Sequence, residues 1–132
     1  MSKARQRSGQ RKRREHIDPF AQFRLMRKLQ PFTQSELIKL NLKPRMAWHA
    51  MRTGQSNNDD RGTVSAIVNT ALVRCESIHP DLVGVCKQAQ QDIQDIEPVV
   101  DLHEQLLELS TPLEMERAML EVLRRAAAGE TL

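Results

Sequence analysis

The chain is poor in aromatic residues and in glycine, which limits the kinds of core that it can build. Its 132 residues include one Trp, three Phe, no Tyr and only five Gly, and strand-type runs are few. The core must therefore come from Leu, Ile, Val, Met and Ala, which helices accommodate. We predict an all-α protein: one compact domain of five to six helices behind a disordered basic N-terminal arm.

Cysteine and long apolar runs are also scarce. The two cysteines, Cys75 and Cys86, cannot make the disulfide framework of a small secreted protein, which favours a reducing compartment. No apolar run approaches the length of a membrane span, and no apolar signal region follows the basic start. The sequence therefore predicts a cytoplasmic protein that does not contact a membrane.

The sequence lacks the motifs that would indicate catalysis or a bound cofactor. It has no nucleophile motif and no glycine-rich phosphate loop. The four histidines fall in four separate predicted elements: His16, His49, His79 and His103. Cys75, His79 and Cys86 do not have the paired spacing of a structural zinc site. We predict that the protein is not an enzyme and that it needs neither a cofactor nor a metal.

Positive and negative charge are distributed unevenly along the chain. Residues 1–80 contain sixteen Lys and Arg against six acidic residues, whereas residues 81–132 contain four against eleven. The asymmetry predicts a basic arm (1–16), a helical domain (17–80) and an acidic helical hairpin (81–132). A basic front of this kind indicates a polyanionic partner. The alternative is that ordinary helix surfaces differ in charge without a functional reason.

The first fourteen residues combine high charge with almost no apolar side chains. Seven of them are basic and none is acidic. The basic residues are Lys3, Arg5, Arg7, Arg11, Lys12, Arg13 and Arg14. Such a segment cannot bury enough apolar surface to fold by itself, but its cations can neutralise the phosphates of nucleic acid. The alternative is a solubilising tail without a partner.

A first helix is predicted over residues 18–30, with Asp18 as its N-cap and Pro31 beyond its end. Its apolar residues predict a buried face: Phe20, Phe23, Leu25, Met26 and Leu29. Three cations of the same helix would continue the positive surface of the arm: Arg24, Arg27 and Lys28. The alternative for these cations is that they are solvated helix charges.

Residues 33–54 have the pattern of two short helices joined by a tight turn. Thr33 and Glu36 form a capping box that starts the first helix. Residues 41–43 fit a turn, and Pro44 suits the first position of the second helix. The residues predicted to face DNA are Arg45, His49 and Arg52, with Lys43 on a phosphate. The alternative is a plain helical hairpin within the core.

The string RLMRKLQPFTQSELIKLNLKPRMAWHAMRTG (residues 24–54) resembles the helix-turn-helix of the Cro and lambda-repressor type. The residues that carry the resemblance are Arg24, Arg27, Lys28, Thr33, Gln34, Glu36, Leu37, Arg52 and Gly54. It implies a DNA-binding regulator whose second helix reads bases. A vaguer resemblance, to small uncharacterised proteins of proteobacterial prophages and plasmids, rests on Asp18, Pro19, Pro44, Ala47, Ala50, Arg52, Gly54 and residues 68–71. It implies a mobile genetic element as the source, and no function.

The remainder of the chain predicts a central helix and two amphipathic helices. Apolar residues from Val64 to Cys75 follow helical spacing and leave little polar face, which is typical of a central helix. A second stripe resembles a coiled-coil seam: Leu82, Cys86, Ala89, Ile93, Ile96 and Val100. Pro98 should kink this helix, and the last helix starts at Thr111. The two stripes predict a homodimer, unless they cover each other within one chain.

These patterns predict a small nucleic-acid-binding regulatory or accessory protein of a mobile genetic element, with duplex DNA as its partner. The alternative is a protein-interaction module or inhibitor that acts through its helical surface, with the basic arm in a secondary role. A third alternative is a basic-tailed structural protein that recognises no sequence.

Overall fold

The computed structural model describes residues 18–132, and over this range the chain is helical apart from short connections. Six α-helices follow one another: α1 (Pro19–Lys28), α2 (Gln34–Arg52), α3 (Asn58–Ile78), α4 (Val83–Gln91), α5 (Ile96–Glu108) and α6 (Pro112–Ala127). Two 3-10 turns lie on either side of α4: Pro80–Leu82 and Ile93–Asp95. Residues 18–132 contain no strand, so the all-α prediction is confirmed. The predicted arm (1–16) lies outside the described residues.

Side-chain caps determine where four of the helices begin. At the start of α1, the Asp18 carboxylate accepts a hydrogen bond from the amide of Phe20 (2.9 Å). The other three helices begin with reciprocal capping boxes: Thr33 with Glu36 in α2, Asn57 with Asp60 in α3, and Thr111 with Glu114 in α6. Each box satisfies backbone donors that the first turn leaves unpaired. The predicted starts at Asp18, Thr33 and Thr111 are confirmed.

α3 is the central helix, as its apolar spacing predicts. It packs against α2, α4, α5 and α6. Its side chains Val64, Ala71 and Leu72 are at most 2 % exposed, and they share one core cluster with Trp48 of α2 and Leu106 of α5. Because α2 and α4–α6 all pack on this helix, the two regions predicted on either side of residue 80 have a common hydrophobic core.

The predicted helix-turn-helix is wrong in its central feature, because residues 41–43 are helical. α2 runs without a break and contains Pro44 in its interior. Pro44 cannot donate a backbone hydrogen bond, which weakens a helix. The capping box before the proline and the buried Trp48 beyond it hold both halves of α2 in place. Since no glycine interrupts the segment, nothing forces the chain to turn there.

The predicted buried face of α1 is wrong as well. Four large apolar residues of α1 and its C-cap Leu29 are each more than half exposed; the four are Phe20, Phe23, Leu25 and Met26. α1 contains no buried residue and contacts the rest of the domain chiefly through α6. Ion pairs attach it, from Arg27 to Glu36 of α2 and from Lys28 to Glu116 of α6. The amphipathic spacing correctly predicted an apolar face on this helix, but it did not predict whether that face is buried.

The predicted helix over residues 81–107 is divided earlier than expected. A 3-10 turn separates α4 from α5. Asp92 caps this turn by accepting a hydrogen bond from the amide of Gln94 (3.0 Å). Pro98 lies in the first turn of α5, where its missing N–H removes no intrahelical bond. The kink predicted at Pro98 is therefore wrong, and the chain breaks at Asp92 instead.

The predicted dimer seam lies inside the chain. Four of its six residues are at most 6 % exposed: Cys86, Ala89, Ile96 and Val100. Leu82 is half-buried against the same core, and Ile93 is exposed. Side chains that pack within one chain cannot form an interface between two chains, so the dimerisation role predicted for these four buried residues is wrong. The stripe of the last helix is not covered within the chain, because Met119, Leu120 and Leu123 of α6 are exposed.

Candidate functional site

Most of the described cations that were predicted to contact nucleic acid are bonded to carboxylates of the same chain. Five of the seven in the described part form ion pairs: Arg24 with Asp18, Arg27 with Glu36, Lys28 with Glu116, Arg45 with Asp101 and Glu104, and Arg52 with Glu97. Lys43 and His49 have no ion-pair partner within residues 18–132. The cations between Lys3 and Arg14 lie outside the described residues. The basic surface of the described part is therefore largely neutralised.

Arg45 forms the most extensive of these pairs. Its Nε and Nη2 atoms donate to the two carboxylate oxygens of Glu104 at 2.6 and 2.9 Å, and Nη2 also donates to Asp101. The hydrogen bonds to Glu104 and Asp101 raise the pKa of Arg45. A bidentate pair of this kind has a specific geometry, and contact with a base edge would require breaking it. With Arg52 bonded to Glu97 (3.2 Å), two of the three predicted base-reading residues face α5.

A partly buried polar cluster joins α3 to the start of α6, and it was not predicted from the sequence. The Nε atom of Arg74, a residue only 8 % exposed, donates to Ser110 Oγ (2.8 Å), and its Nη2 atom donates to Glu114 Oε2 (3.0 Å). The backbone hydrogen bond from Thr111 is the main cause that lowers the pKa of Glu114. A buried guanidinium needs such partners, so the cluster fixes α6 on α3. An arginine within the apolar run of the central helix was the available signal.

The two cysteines of the described part lie in the core and belong to no metal site. Cys75 and Cys86 lie together in the core, where burial raises the pKa of both thiols, to about 12 for Cys86. Thiols that stay protonated in a closed core are poor nucleophiles. Within residues 18–132, no group of three or more His, Cys, Asp or Glu side chains is placed to hold a metal ion. In the same range, no helix has the length and apolar character needed to cross a membrane.

The surface that the structure leaves uncovered on α1 is apolar. Four residues follow one another at i+3 spacing and are 68, 70, 58 and 56 % exposed: Phe20, Phe23, Met26 and Leu29. We call this set the α1 apolar row. Its accessible area is on the order of 500 Å², as large as the patches that serve as binding sites on monomeric proteins. The row is therefore the first candidate for a binding surface.

A second apolar surface is a groove between α2 and α6, with α3 as its floor and a volume of about 590 Å³. The apolar residues that line it include Leu40, Pro44, Ala66, Ile67, Leu107 and Met119. Lys39 and Lys43 lie one helical turn apart on its α2 side. We call it the α2–α6 groove. No sequence pattern predicts it, because its lining comes from four separate helices.

Comparison with known proteins identifies no relative. No protein-family model, no curated protein and no solved structure matches the chain. The resemblance to the Cro and lambda-repressor type, and the vaguer one to prophage and plasmid proteins, therefore stay expectations from the sequence. The features of the chain that bear on its function are the two apolar surfaces, the ion pairs and the basic start.

Proposed function

We propose that this protein is a protein-interaction module that binds a partner through the α1 apolar row. The observation that supports this proposal is a ten-residue helix whose large apolar side chains are all exposed. A helix this short is not stable by itself. Each large apolar side chain contributes roughly 1.5–3 kcal/mol when it becomes fully buried. A partner that covers the row would provide this burial and would hold α1 in place.

The composition of the row supports a protein partner. Aromatic residues and Met are enriched in protein–protein interfaces, and large aromatic side chains often act as anchors there. The row has two Phe and one Met within the seven residues 20–26. The nearby cations Arg27 and Lys28 are already bonded to Glu36 and Glu116. Apolar contact is therefore the main attraction that this surface offers.

The observations favour this proposal over the alternative that a pair of short helices in the protein binds duplex DNA and contacts its bases. Such a pair needs a turn, and residues 41–43 are helical. It also needs free side chains for base contacts, and both Arg45 and Arg52 are bonded to carboxylates of α5. A homodimer, if the protein forms one, would have to use an exposed surface such as the α1 apolar row, because the predicted seam is buried.

Replacing Phe23 by Asp is expected to abolish capture of the partner and to leave the fold intact. Phe23 is 70 % exposed, so the substitution should change the free energy of unfolding by less than about 0.5 kcal/mol. Loss of an interface anchor costs about 2 kcal/mol or more, which is at least a roughly 30-fold loss of affinity. Immobilised full-length protein would be incubated with a lysate of the source cells, and the captured proteins would be quantified by mass spectrometry.

Ile38→Asp is the matched control, because Ile38 is 61 % exposed but lies on α2, outside the row. It is expected to capture the same proteins as the wild type. Circular dichroism should show equal helix content in all three proteins. If Phe23→Asp retains every protein that the wild type and Ile38→Asp capture, the row is not the binding surface.

A second candidate function is electrostatic binding of nucleic acid through the basic start of the chain. The observation that favours it is the composition of residues 1–14, which include seven Lys and Arg and no acidic residue. Contacts from such cations go to phosphates and carry no sequence information. Because the predicted base-reading arginines are bonded to α5, we expect this binding to be independent of base sequence.

Deletion of residues 1–14 is expected to flatten the salt dependence of nucleic-acid binding. Seven cations contribute up to about six units of slope in a plot of log affinity against log salt concentration for duplex DNA. Fluorescence anisotropy with random duplex DNA, single-stranded DNA and RNA would measure the slope. Arg45→Ala, which keeps the basic start of the chain, is the control and should retain the wild-type slope. An equal slope in the deletion variant and the wild type would contradict this function.

A further inference from the structure

We infer that the α2–α6 groove is a docking site for an acidic amphipathic helix of another protein. The groove is a different surface from the α1 apolar row, so the inference goes beyond the proposed function. Its lining comes from α2 and α6 at its sides and from α3 and α5 between them. A concave apolar surface between helices is the usual receptor for a helix that presents an apolar stripe.

The lining of the groove is suited to apolar side chains. Ala66 and Ile67 of α3 lie at the floor, and Pro44 contributes a rigid apolar ring on the α2 side. At the two sides, Leu40 is 43 % exposed and Met119 is 55 % exposed. Within residues 18–132 no other element covers these side chains. A helix lying along the groove would bury apolar surface on both of its flanks.

The charge of the groove selects an acidic occupant. Lys39 and Lys43 line its α2 side, and neither has an ion-pair partner within residues 18–132. Among the described residues, the one carboxylate that lines the groove is that of Glu116, which is already bonded to Lys28 (2.7 Å). The described lining therefore has two positive charges that no carboxylate of residues 18–132 pairs with. A basic occupant, such as residues 1–14 of a second copy, would be repelled.

The spacing of these cations also fits a helical occupant. Residues at i and i+4 of a helix are about 6 Å apart along its axis. Two carboxylates at i and i+4 of an adjacent helix can therefore pair with Lys39 and Lys43 at the same time. Apolar side chains at i, i+3, i+4 and i+7 of that helix would enter the groove. The partner is thus specified by two features, an apolar stripe and acidic residues beside it.

The test uses the full-length protein and a labelled synthetic peptide, with binding followed by fluorescence anisotropy. The peptide has eighteen residues, with Leu at i, i+3, i+4 and i+7 positions and Glu at most others. One comparison peptide has Lys in place of Glu, and another has the same composition with scrambled Leu positions. The Glu peptide is expected to bind at least ten-fold more tightly than either. Lys39→Glu combined with Lys43→Glu should reverse the preference between the Glu and Lys peptides.

A pair of neighbouring substitutions on α6 locates the binding site. Met119→Glu places a carboxylate at the groove and is expected to weaken binding of the Glu peptide at least ten-fold. Leu120→Glu is the matched control, because Leu120 is 57 % exposed on the same helix but does not line the groove. It should bind the peptide as the wild type does. Phe23→Asp should also bind normally, which separates failure at the groove from failure at the α1 apolar row.

Three results would overturn the inference. The first is equal affinity of the wild type for the three peptides, or no binding of any of them. The second is an equal loss of binding in Met119→Glu and Leu120→Glu. The third is a wild-type dimer in light scattering that Met119→Glu, but not Leu120→Glu, converts to a monomer. That third result would show that a second copy of the chain occupies the groove.

Discussion

Val100→Asp is expected to prevent folding, although the same change at Ile93 should be tolerated. Val100 is 1 % exposed and belongs to the hydrophobic core beneath α3. Burial of a polar group without a hydrogen-bond partner costs roughly 2–7 kcal/mol, and burial of an ionised carboxylate costs more. This cost is similar to the whole free energy of unfolding of a domain of this size, about 5–15 kcal/mol.

Ile93→Asp is the matched variant, because Ile93 is 49 % exposed in the turn that precedes α5. Circular dichroism and thermal melting would compare both variants with the wild type. We expect Val100→Asp to lose most of its helical signal and Ile93→Asp to keep it. If the predicted seam instead formed an interface between two chains, Val100→Asp would give a folded helical monomer. That outcome would show that Val100 does not lie in the core.

The features that the sequence predicted correctly depend on residues close to one another in the chain. A capping box needs two residues three positions apart, so Thr33 and Thr111 locate the starts of α2 and α6. Similarly, the apolar spacing of α3 continues around most of the helix, which happens only when other helices surround it. Both signals are complete within a few turns of one helix.

The features that the sequence did not predict depend on residues far apart in the chain. Arg45 lies 59 positions before Glu104, and Arg52 lies 45 positions before Glu97. No local pattern records such pairs, so both arginines were interpreted as free cations. Hydrophobic periodicity likewise does not record which distant part of the chain covers an apolar face. The α1 apolar row and the predicted seam both have amphipathic spacing, but four residues of the seam are buried in the core and none of the row is.

Pro44 shows how one residue can be compatible with two local structures. Its fixed φ suits the first turn of a helix, which favoured a new helix after residues 41–43. A proline is also tolerated inside a helix when packing on both sides outweighs the lost hydrogen bond. Trp48, one turn beyond Pro44, is 6 % exposed, and its burial requires α2 to continue in the same direction. The choice between the two structures was therefore made by tertiary packing.

Acidification from pH 7 to pH 5 is expected to lower the free energy of unfolding by about 2 kcal/mol through His103 alone. His103 is 7 % exposed, and burial lowers its pKa to about 4, against a weaker opposing effect of Glu104. In the unfolded chain its pKa is about 6.5. Between these two values the unfolded chain binds a proton that the folded chain does not, so stability falls as the pH falls. The contribution is fully present above the unfolded pKa and is lost progressively down to about pH 4.

Between pH 7 and pH 5, the effect of His103 on stability can be separated from the effects of the carboxylates. Glu114, whose pKa is lowered chiefly by the backbone hydrogen bond from Thr111, contributes stability that is lost only at more acidic pH. Urea unfolding followed by circular dichroism would measure stability at several pH values in the wild type, His103→Gln and His49→Gln. The decrease in the free energy of unfolding between pH 7 and pH 5 should be absent in His103→Gln. It should remain in His49→Gln, because His49 is at an exposed position of α2. Equal pH dependence in all three proteins would show that His103 is not held neutral by burial.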